Sequence, residues 1–338
     1  MAFRIAINGY GRIGRCVLRA LYESNNYLDL RIVALNDIAD PKTLAHLTRY
    51  DSTHGRFLGK VEVNGDALDI DGDQIQLYRS ADILGLPWLE QDVDLVLECS
   101  GVFTDRSTAE KHLSQGAKKM LFSQPAENDV DATIIYGINH ESLTANDTVV
   151  SNASCTTNCI VPVLKVLDDN FGIDSGAITT IHSAMNDQPV IDSYHDKDLR
   201  KTRGAMQSII PVETALAKGI ERILPNLAGK LEAQAIRVPT VNVSAMDLSI
   251  NVSRDTSIAE VITAIKNASK ALPINILGVT EEPLASCDFN HDPRSAIVDL
   301  NQTKVINRRL IKLLVWFDNE WAYANRMLDV AQHMCRLG

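Results

Sequence analysis

The sequence predicts an α/β chain in two parts, a doubly wound parallel sheet followed by an α+β segment on a mostly antiparallel sheet. Three observations predict it. Up to about residue 150 short apolar strands alternate with helical stretches. After Cys155 the texture changes to long alternating strands. A length of 338 residues is also enough for two separate cores.

Phe3 to Ile7 is the opening strand, Ile13 to Tyr22 the first helix and Arg31 to Leu35 the second strand. Later strands are expected at Asp94 to Leu97, Met120 to Phe122, Thr133 to Tyr136 and Val149 to Ser151. A helical stretch from Thr156 to Leu167 opens the second part. Its strands are Ala177 to His182, Leu231 to Val238, Val243 to Val252 and Leu310 to Phe317, with helices at Thr214 to Leu224 and Ile258 to Ala271. Such strands suit a sheet covered on one face. The amphipathic tail Trp321 to Arg336 reads as a last helix returning to the first part.

The 45% hydrophobic and 22% charged residues are ordinary for a soluble globular protein. No apolar run approaches the roughly 20 residues of a membrane span, and Met1-Ala2-Phe3-Arg4 leads straight into a strand, so a cytoplasmic location is expected. Six cysteines without regular spacing argue for reduced thiols. A net charge of -10 and a pI near 5.3 disfavour nucleic acid or an anionic membrane as the main partner. An anionic substrate would then need a local positive pocket.

The first strand runs into Asn8-Gly9-Tyr10-Gly11-Arg12-Ile13-Gly14, a G-x-G-x-x-G that opens a helix. Gly9 permits the tight turn, Gly11 lets backbone approach a pyrophosphate, Gly14 lets helix pack on strand, and the helix N-terminus receives the phosphates. The second strand ends in Asn36-Asp37, an acid about 20 residues on that can accept hydrogen bonds from a ribose 2′-hydroxyl. This is the context of a Rossmann dinucleotide site. Asp37 would repel a 2′-phosphate, and Ile38-Ala39 offer no arginine to receive one, so NAD is preferred over NADP.

Ser151-Asn152-Ala153-Ser154-Cys155-Thr156-Thr157-Asn158-Cys159 places a thiol where a strand hands over to a helix. With Ser154 as N-cap, Cys155 sits in the first turn, beside unpaired backbone N–H groups. A helix terminus contributes about 0.3–1 kcal/mol, less than one pKa unit, so a positive partner is needed as well. His182, at the end of the β-branched run Ala177 to Ile181, is the most suggestive histidine. His46, His112 and His333 sit in polar helical context and His54, His140, His195 and His291 in loop-like surroundings, where a solvated role is expected. Cys16, Cys99, Cys159, Cys287 and Cys335 read as inert buried hydrophobes. A zinc site from Cys155, Cys159 and His182 has poor ligand spacing, so no metal is expected. A reactive thiol beside a nicotinamide points to aldehyde oxidation: the thiolate adds to the carbonyl, hydride leaves to NAD⁺, and a thioester remains for water or another nucleophile.

Five segments carry a resemblance over nearly the whole chain: Asn8 to Arg15, Ser151 to Asn158, Ile181-His182-Ser183, Arg237-Val238-Pro239-Thr240 and Trp316-Phe317-Asp318-Asn319-Glu320-Trp321. In these the chain resembles the glyceraldehyde-3-phosphate dehydrogenase superfamily. The resemblance implies an NAD-binding domain at 1–153, a catalytic domain at 154–318 and a helix at 319–338 packing back on the first. It implies Cys155 as nucleophile and His182 as its activator and acid/base, with Gly9, Gly11, Arg12, Ile13, Gly14, Asp37, Ser123 and Asn319 at NAD. Ser154, Cys155, Thr156, Arg200 or Lys201, Thr214, Ala215 and Arg237 are implied at the substrate, a small phosphorylated aldehyde, and the assembly implied is a homotetramer.

Two departures narrow it. Met185 stands three residues after His182, where the phosphorylating members carry a threonine, and a thioether donates no hydrogen bond. Glu213 sets a carboxylate beside a phosphate site in Val212-Glu213-Thr214-Ala215. With Asp288-Phe289-Asn290-His291-Asp292-Pro293, these resemble the erythrose-4-phosphate dehydrogenase branch. That branch implies oxidation of erythrose 4-phosphate to 4-phosphoerythronate, with water releasing the thioester, for pyridoxal phosphate synthesis. The alternatives are a phosphorylating glyceraldehyde-3-phosphate dehydrogenase and, in a different class, a thiol redox sensor or binding protein that keeps the fold without turnover.

Overall fold

The computed structural model describes residues 2–338, in two compact units. One runs to Ser154 and resumes at Tyr323; the other is Cys155–Ala322. No helix among the described residues is long and apolar enough to cross a membrane.

The first unit is built on a nine-stranded sheet in the order Ala132–Thr133, Val149–Ser151, Lys119–Phe122, Leu95–Glu98, Phe3–Asn8, Leu30–Asn36, Asp73–Tyr78, Ala67–Ile70, Val61–Asn64. Neighbours are parallel as far as Asp73–Tyr78, and the last two strands join as an antiparallel meander. Leu95–Glu98 and Lys119–Phe122 are buried at every position, as strands covered on both faces require. Phe3–Asn8 lies between the second strand and Leu95–Glu98, so the chain builds outward on one side of it and then on the other. The carboxyl end of such a strand is where an open α/β sheet leaves a crevice.

Three expectations are corrected in this unit. The strand expected at Thr133 to Tyr136 is only Ala132–Thr133, because the Ile135 N–H turns to the side chain of Asn139 at 2.8 Å and leaves the ladder. Ile134 and Ile135 are buried, which made them look like strand. His112 is not solvated on its helix Arg106–Ser114 but fully buried, its Nδ1 accepting from Trp88 Nε1 at 2.9 Å. Its Nε2 therefore carries the proton and faces Glu98 Oε2 at 3.1 Å. His54 is buried as well. The returning helix Trp321–Arg336 ties to this unit through its own residues: Tyr323 Oη donates to Ala153 O, and Asp329 accepts from Tyr27 Oη at 2.9 Å.

The second unit is a mixed, mostly antiparallel sheet of eight strands. Its path runs Ile210–Val212, Leu231–Arg237, Ile173–His182, Ser244–Val252, Leu310–Phe317, Ala296–Asp299, Leu277–Thr280, with Lys304–Ile306 added on Leu310–Phe317. Leu310–Phe317 alternates strictly between buried and half-buried positions, as a strand with one face on a core must. The helices are Cys155–Phe171, Leu216–Ile223 and Ile258–Ala271. The helix expected from Thr214 starts at Leu216, because Thr214 Oγ1 takes the Leu216 N–H and keeps Thr214 and Ala215 in the loop. Pro162 lies inside the first of these helices, a position that costs about 3 kcal/mol in an isolated helix and is tolerated here because its neighbours Ile160, Val161, Val163 and Leu164 are wholly buried. Cys287 is exposed, against the expectation of a buried hydrophobe, because the short Ser286–Phe289 turn points only Phe289 into the core.

Glu98 is the hub of the first unit's polar core: it accepts from Asn8 Nδ2, from His112 and from the Ser100 N–H at 2.9 Å. Glu98→Ala strands three donors, each costing about 1–3 kcal/mol when left unpaired in a buried site. The variant is expected to lose at least about 3 kcal/mol in denaturant titration and to weaken NAD binding with it.

Candidate active site

The glycine turn behaves as its spacing requires. Gly9 has φ +90°, and a Cβ there would lie 2.4 Å from the Ser100 backbone. A Cβ on Gly14 would lie 2.3 Å from Gly9 O, so that glycine is needed for close approach of helix and turn. A Cβ on Gly11 would meet nothing within 4 Å. Gly11 is the residue before the helix Arg12–Glu23, supplies no side-chain cap and lies on a cleft. That cleft, of about 340 Å³, is lined by Asn8, Gly9, Gly11, Asp37, Ser100 and Phe103 among others.

Asp37 is half-buried in the cleft, one carboxylate oxygen accepting from the Tyr10 N–H at 2.8 Å and the other from the Ala39 N–H at 3.0 Å. Each oxygen keeps a lone pair for a ribose hydroxyl. An uncapped helix start, an open position at Gly11 and a fixed carboxylate fit a dinucleotide, the pyrophosphate on the helix and the ribose at Asp37. Arg12, Ile13 and Ser123 lie outside the cleft lining. Arg12 turns to Asp51, whose carboxyl is held at about 2 against the upward push of burial by the His54 N–H and the Arg12 guanidinium. Ser123 follows Lys119–Phe122, its N–H bonded to Glu98 O at 3.0 Å.

Cys155 begins the helix Cys155–Phe171, and the thiol is half-buried on first-turn backbone. The residue two before it, Ala153, has φ +54°, a left-handed conformation that costs a residue with a Cβ about 1–2 kcal/mol. His182 ends the strand Ile173–His182, is buried, and brings Nε2 to 4.0 Å from Sγ. Arg237 ends the neighbouring parallel strand directly opposite it, Nη1 2.7 Å from His182 Nδ1 and 3.3 Å from Ser183 O.

Burial pushes the Cys155 thiol up to about 11, against the opposing pull of Arg237 and the N–H groups of Thr156 and Cys155. Burial and then Arg237 push His182 down to about 4. Both shifts favour the neutral forms, because the site desolvates thiol and imidazole and a fixed cation already occupies the imidazole's other side.

Asn319 is buried behind this pair, its Oδ1 accepting from Ser183 Oγ and Ser244 Oγ, each at 2.9 Å. Ser154 and Thr156 are half-buried on either side of Cys155. Arg200 and Lys201 lie in a short turn, Leu199–Thr202, lining with Glu213 and His195 a cavity of about 740 Å³. Lys201 is tied to Asp187 at 2.7 Å, while Arg200 is exposed. Thr214 and Ala215 are exposed in the loop that follows Glu213. Sequence reasoning missed the support of Asn8, Asn36 and Ser80 at the cleft and of Ser244 behind His182. The only sequence signal was polar residues at the ends of otherwise apolar strands.

Comparison with known families matches residues 154–319 to the glyceraldehyde 3-phosphate dehydrogenase C-terminal domain. Residues 3–106 match the glyceraldehyde 3-phosphate dehydrogenase NAD binding domain.

The two glycines separate folding from cofactor binding. Gly9→Ala is expected to fold poorly, from the positive φ and the 2.4 Å clash. Gly11→Ala, with room for its Cβ, is expected to melt within a few degrees of the parent yet bind NAD at least about tenfold more weakly, a methyl having been set where the pyrophosphate approaches. Thermal melts with NAD titration by fluorescence quenching check both; tight NAD binding by Gly11→Ala would move the phosphates elsewhere.

Proposed function

The chain belongs to the glyceraldehyde-3-phosphate dehydrogenase family, and from that premise we propose that it oxidises erythrose 4-phosphate to 4-phosphoerythronate, the thioester on Cys155 being released by water. The observation that carries the reading is Cys155 Sγ 4.0 Å from His182 Nε2 at the start of a helix. Bound NAD supplies the two-electron acceptor. The Cys155 thiol adds to the aldehyde carbon, its proton passing by way of His182 to the aldehyde oxygen, and the first-turn N–H groups of Cys155 and Thr156, which already bond the sulfur, favour negative charge there. His182 takes the hydroxyl proton of the thiohemiacetal at Nε2 and passes it to solvent, then draws a proton from the water that attacks the thioester. Carboxylate and free thiol are the products of that last step.

Arg237 is assigned to the substrate's own phosphate, with Arg200 as a second cation. Preference for water over inorganic phosphate as the final nucleophile rests on Glu213, Lys201 and Met185. Glu213 lines the same cavity as Arg200 and Lys201, and Asp187 already occupies Lys201. Met185 is half-exposed, with a thioether where a hydroxyl could donate. An attacking dianion meets a carboxylate and a neutralised lysine there, and loses positioning otherwise worth several kcal/mol of barrier. The family premise also supports a homotetramer, as do the exposed apolar side chains of Ile191, Tyr194, Leu199 and Ile209.

Cys155→Ala is expected to bind NAD nearly as well as the parent and to lose at least about a thousandfold in kcat, the covalent route being closed. Substantial turnover by that variant sinks the mechanism, and absence of NADH formation by the parent with any aldehyde phosphate leaves a thiol sensor or binding protein. In phosphate-free buffer, NADH is expected from erythrose 4-phosphate, with no acyl phosphate trapped by hydroxylamine. An absolute requirement for inorganic phosphate hands the chain to the phosphorylating, glycolytic reaction.

A further inference from the structure

Counted from the aldehyde, erythrose 4-phosphate and glyceraldehyde 3-phosphate are alike as far as the second carbon and part at the third. There the shorter substrate carries its phosphate ester and the longer one a hydroxyl. A residue that separates the two must therefore stand between the aldehyde end of the site, at Cys155 and His182, and the phosphate end, at Arg237.

Asp187 stands there. It lies in the exposed loop after the strand Ile173–His182, in a turn closed by Gln188, whose Oε1 accepts the Met185 N–H at 3.1 Å and whose N–H donates to Met185 O at 3.0 Å. Its charge acts on His182 at one end and on Arg237 at the other. Glu320, the second acid facing His182, faces Cys155 as well and so belongs to the aldehyde end. What burial Asp187 has pushes its carboxyl up, but Lys201 and then Arg237 hold it below the usual carboxylate range, so it is ionised and can only accept hydrogen bonds. A carboxylate offers about four lone-pair sites. The Lys201 ammonium takes one at Oδ2, 2.7 Å away, and the residue's own N–H shares another. The sites that are left attract a hydroxyl and repel a phosphate dianion.

We propose that Asp187 sets the length of the substrate, accepting a hydrogen bond from the third-carbon hydroxyl of erythrose 4-phosphate and turning away the phosphate that glyceraldehyde 3-phosphate presents at the same carbon. The inference rests on the reading that erythrose 4-phosphate is the substrate and that Arg237 receives its phosphate. Lys201 is the positioning residue in this arrangement: its ammonium keeps the carboxylate charged and holds one of its oxygens in place. One carboxylate thus favours the longer aldehyde twice, by a contact it makes and by a charge it opposes.

The test compares erythrose 4-phosphate with 3-deoxyerythrose 4-phosphate, which keeps the length and the phosphate and lacks only the hydroxyl. Initial rates of NADH formation are measured with the full-length protein at saturating NAD in phosphate-free buffer. In the parent, kcat/KM for erythrose 4-phosphate is expected to exceed that for the deoxy analogue by at least about tenfold, as expected of one hydrogen bond to a charged group. Asp187→Ala is expected to bring the two within about threefold of each other. The lysine freed in that variant acts on both substrates alike, so their ratio reports the hydroxyl alone. The position is exposed, and the variant is expected to melt with the parent. Equal use of the two substrates by the parent, or a ratio unchanged in Asp187→Ala, overturns the assignment of Asp187 and leaves the substrate reading standing. A parent that makes no NADH from erythrose 4-phosphate overturns both.

Discussion

The register of two parallel strands decides the chemistry of the second unit. Ile173–His182 and Leu231–Arg237 pair so that His182 stands opposite Arg237 at the last rung of the ladder. In a strand of period two, a slip of one residue would send the imidazole to the other face and leave the arginine beside nothing. That slip is resisted by the alternation itself, since Ile178, Thr180 and His182 share the buried face and cannot be exchanged for the exposed Ala177 without opening the core. The helix Cys155–Phe171 packs on the same sheet and delivers the thiol to the remaining side of the ring. Nucleophile, base and cation are thus three element ends, held by packing that does not depend on any of them.

Desolvation then sets their resting state. Burying a charge costs far more than burying the neutral form, and here it moves a thiol up to about 11 and an imidazole down to about 4. A neutral thiol is a poor target for oxidants, whose attack follows thiolate character, so the environment that withholds reactivity also protects it. The first-turn N–H groups and Arg237 pull the thiol the other way, whereas at Cys159 burial and the neighbouring Cys155 both push the thiol up.

Much of this was legible in the sequence because the decisive features are local. The glycine turn, the acid ending the second strand, and the polar run between Val150 and the following helix are each contiguous patterns with a fixed structural meaning. The strands at Val149–Ser151 and Leu310–Phe317 and the helices at Ile258–Ala271 and Trp321–Arg336 fall where the periodicity puts them. What was hidden depends on distant partners. Residues 38–93 carried no bounded element beyond the helical context of His46, yet they hold the helix Pro41–Arg49 and the Val61–Tyr78 meander, whose edge strand Val61–Asn64 is mostly exposed. His112 looks solvated on its helix until Trp88 and Glu98 arrive from 24 and 14 residues away. The contact between Arg237 and His182 is of the same kind: both residues were singled out, but only the strand register joins them.

In the first unit the same long-range logic prepares the cofactor cleft. The carboxyl ends of three parallel strands present Asn8, Asn36 and Glu98, side chains that would be costly to leave unpaired. They satisfy one another first: Asn36 Nδ2 donates to Asn8 Oδ1, Asn8 Nδ2 to Glu98, and Ser80 N–H to Asn36 Oδ1. Glu98 also takes the Ser100 N–H, and the Ser100 backbone is what forbids a Cβ on Gly9. The glycine turn is therefore held from below by a buried carboxylate. A site arranged in this way loses little side-chain freedom on binding, which leaves more of the phosphate and ribose contacts to appear as affinity. The glycine pattern in the sequence marks where a dinucleotide can approach; the network beneath it, spread over four segments of chain, makes that approach rigid.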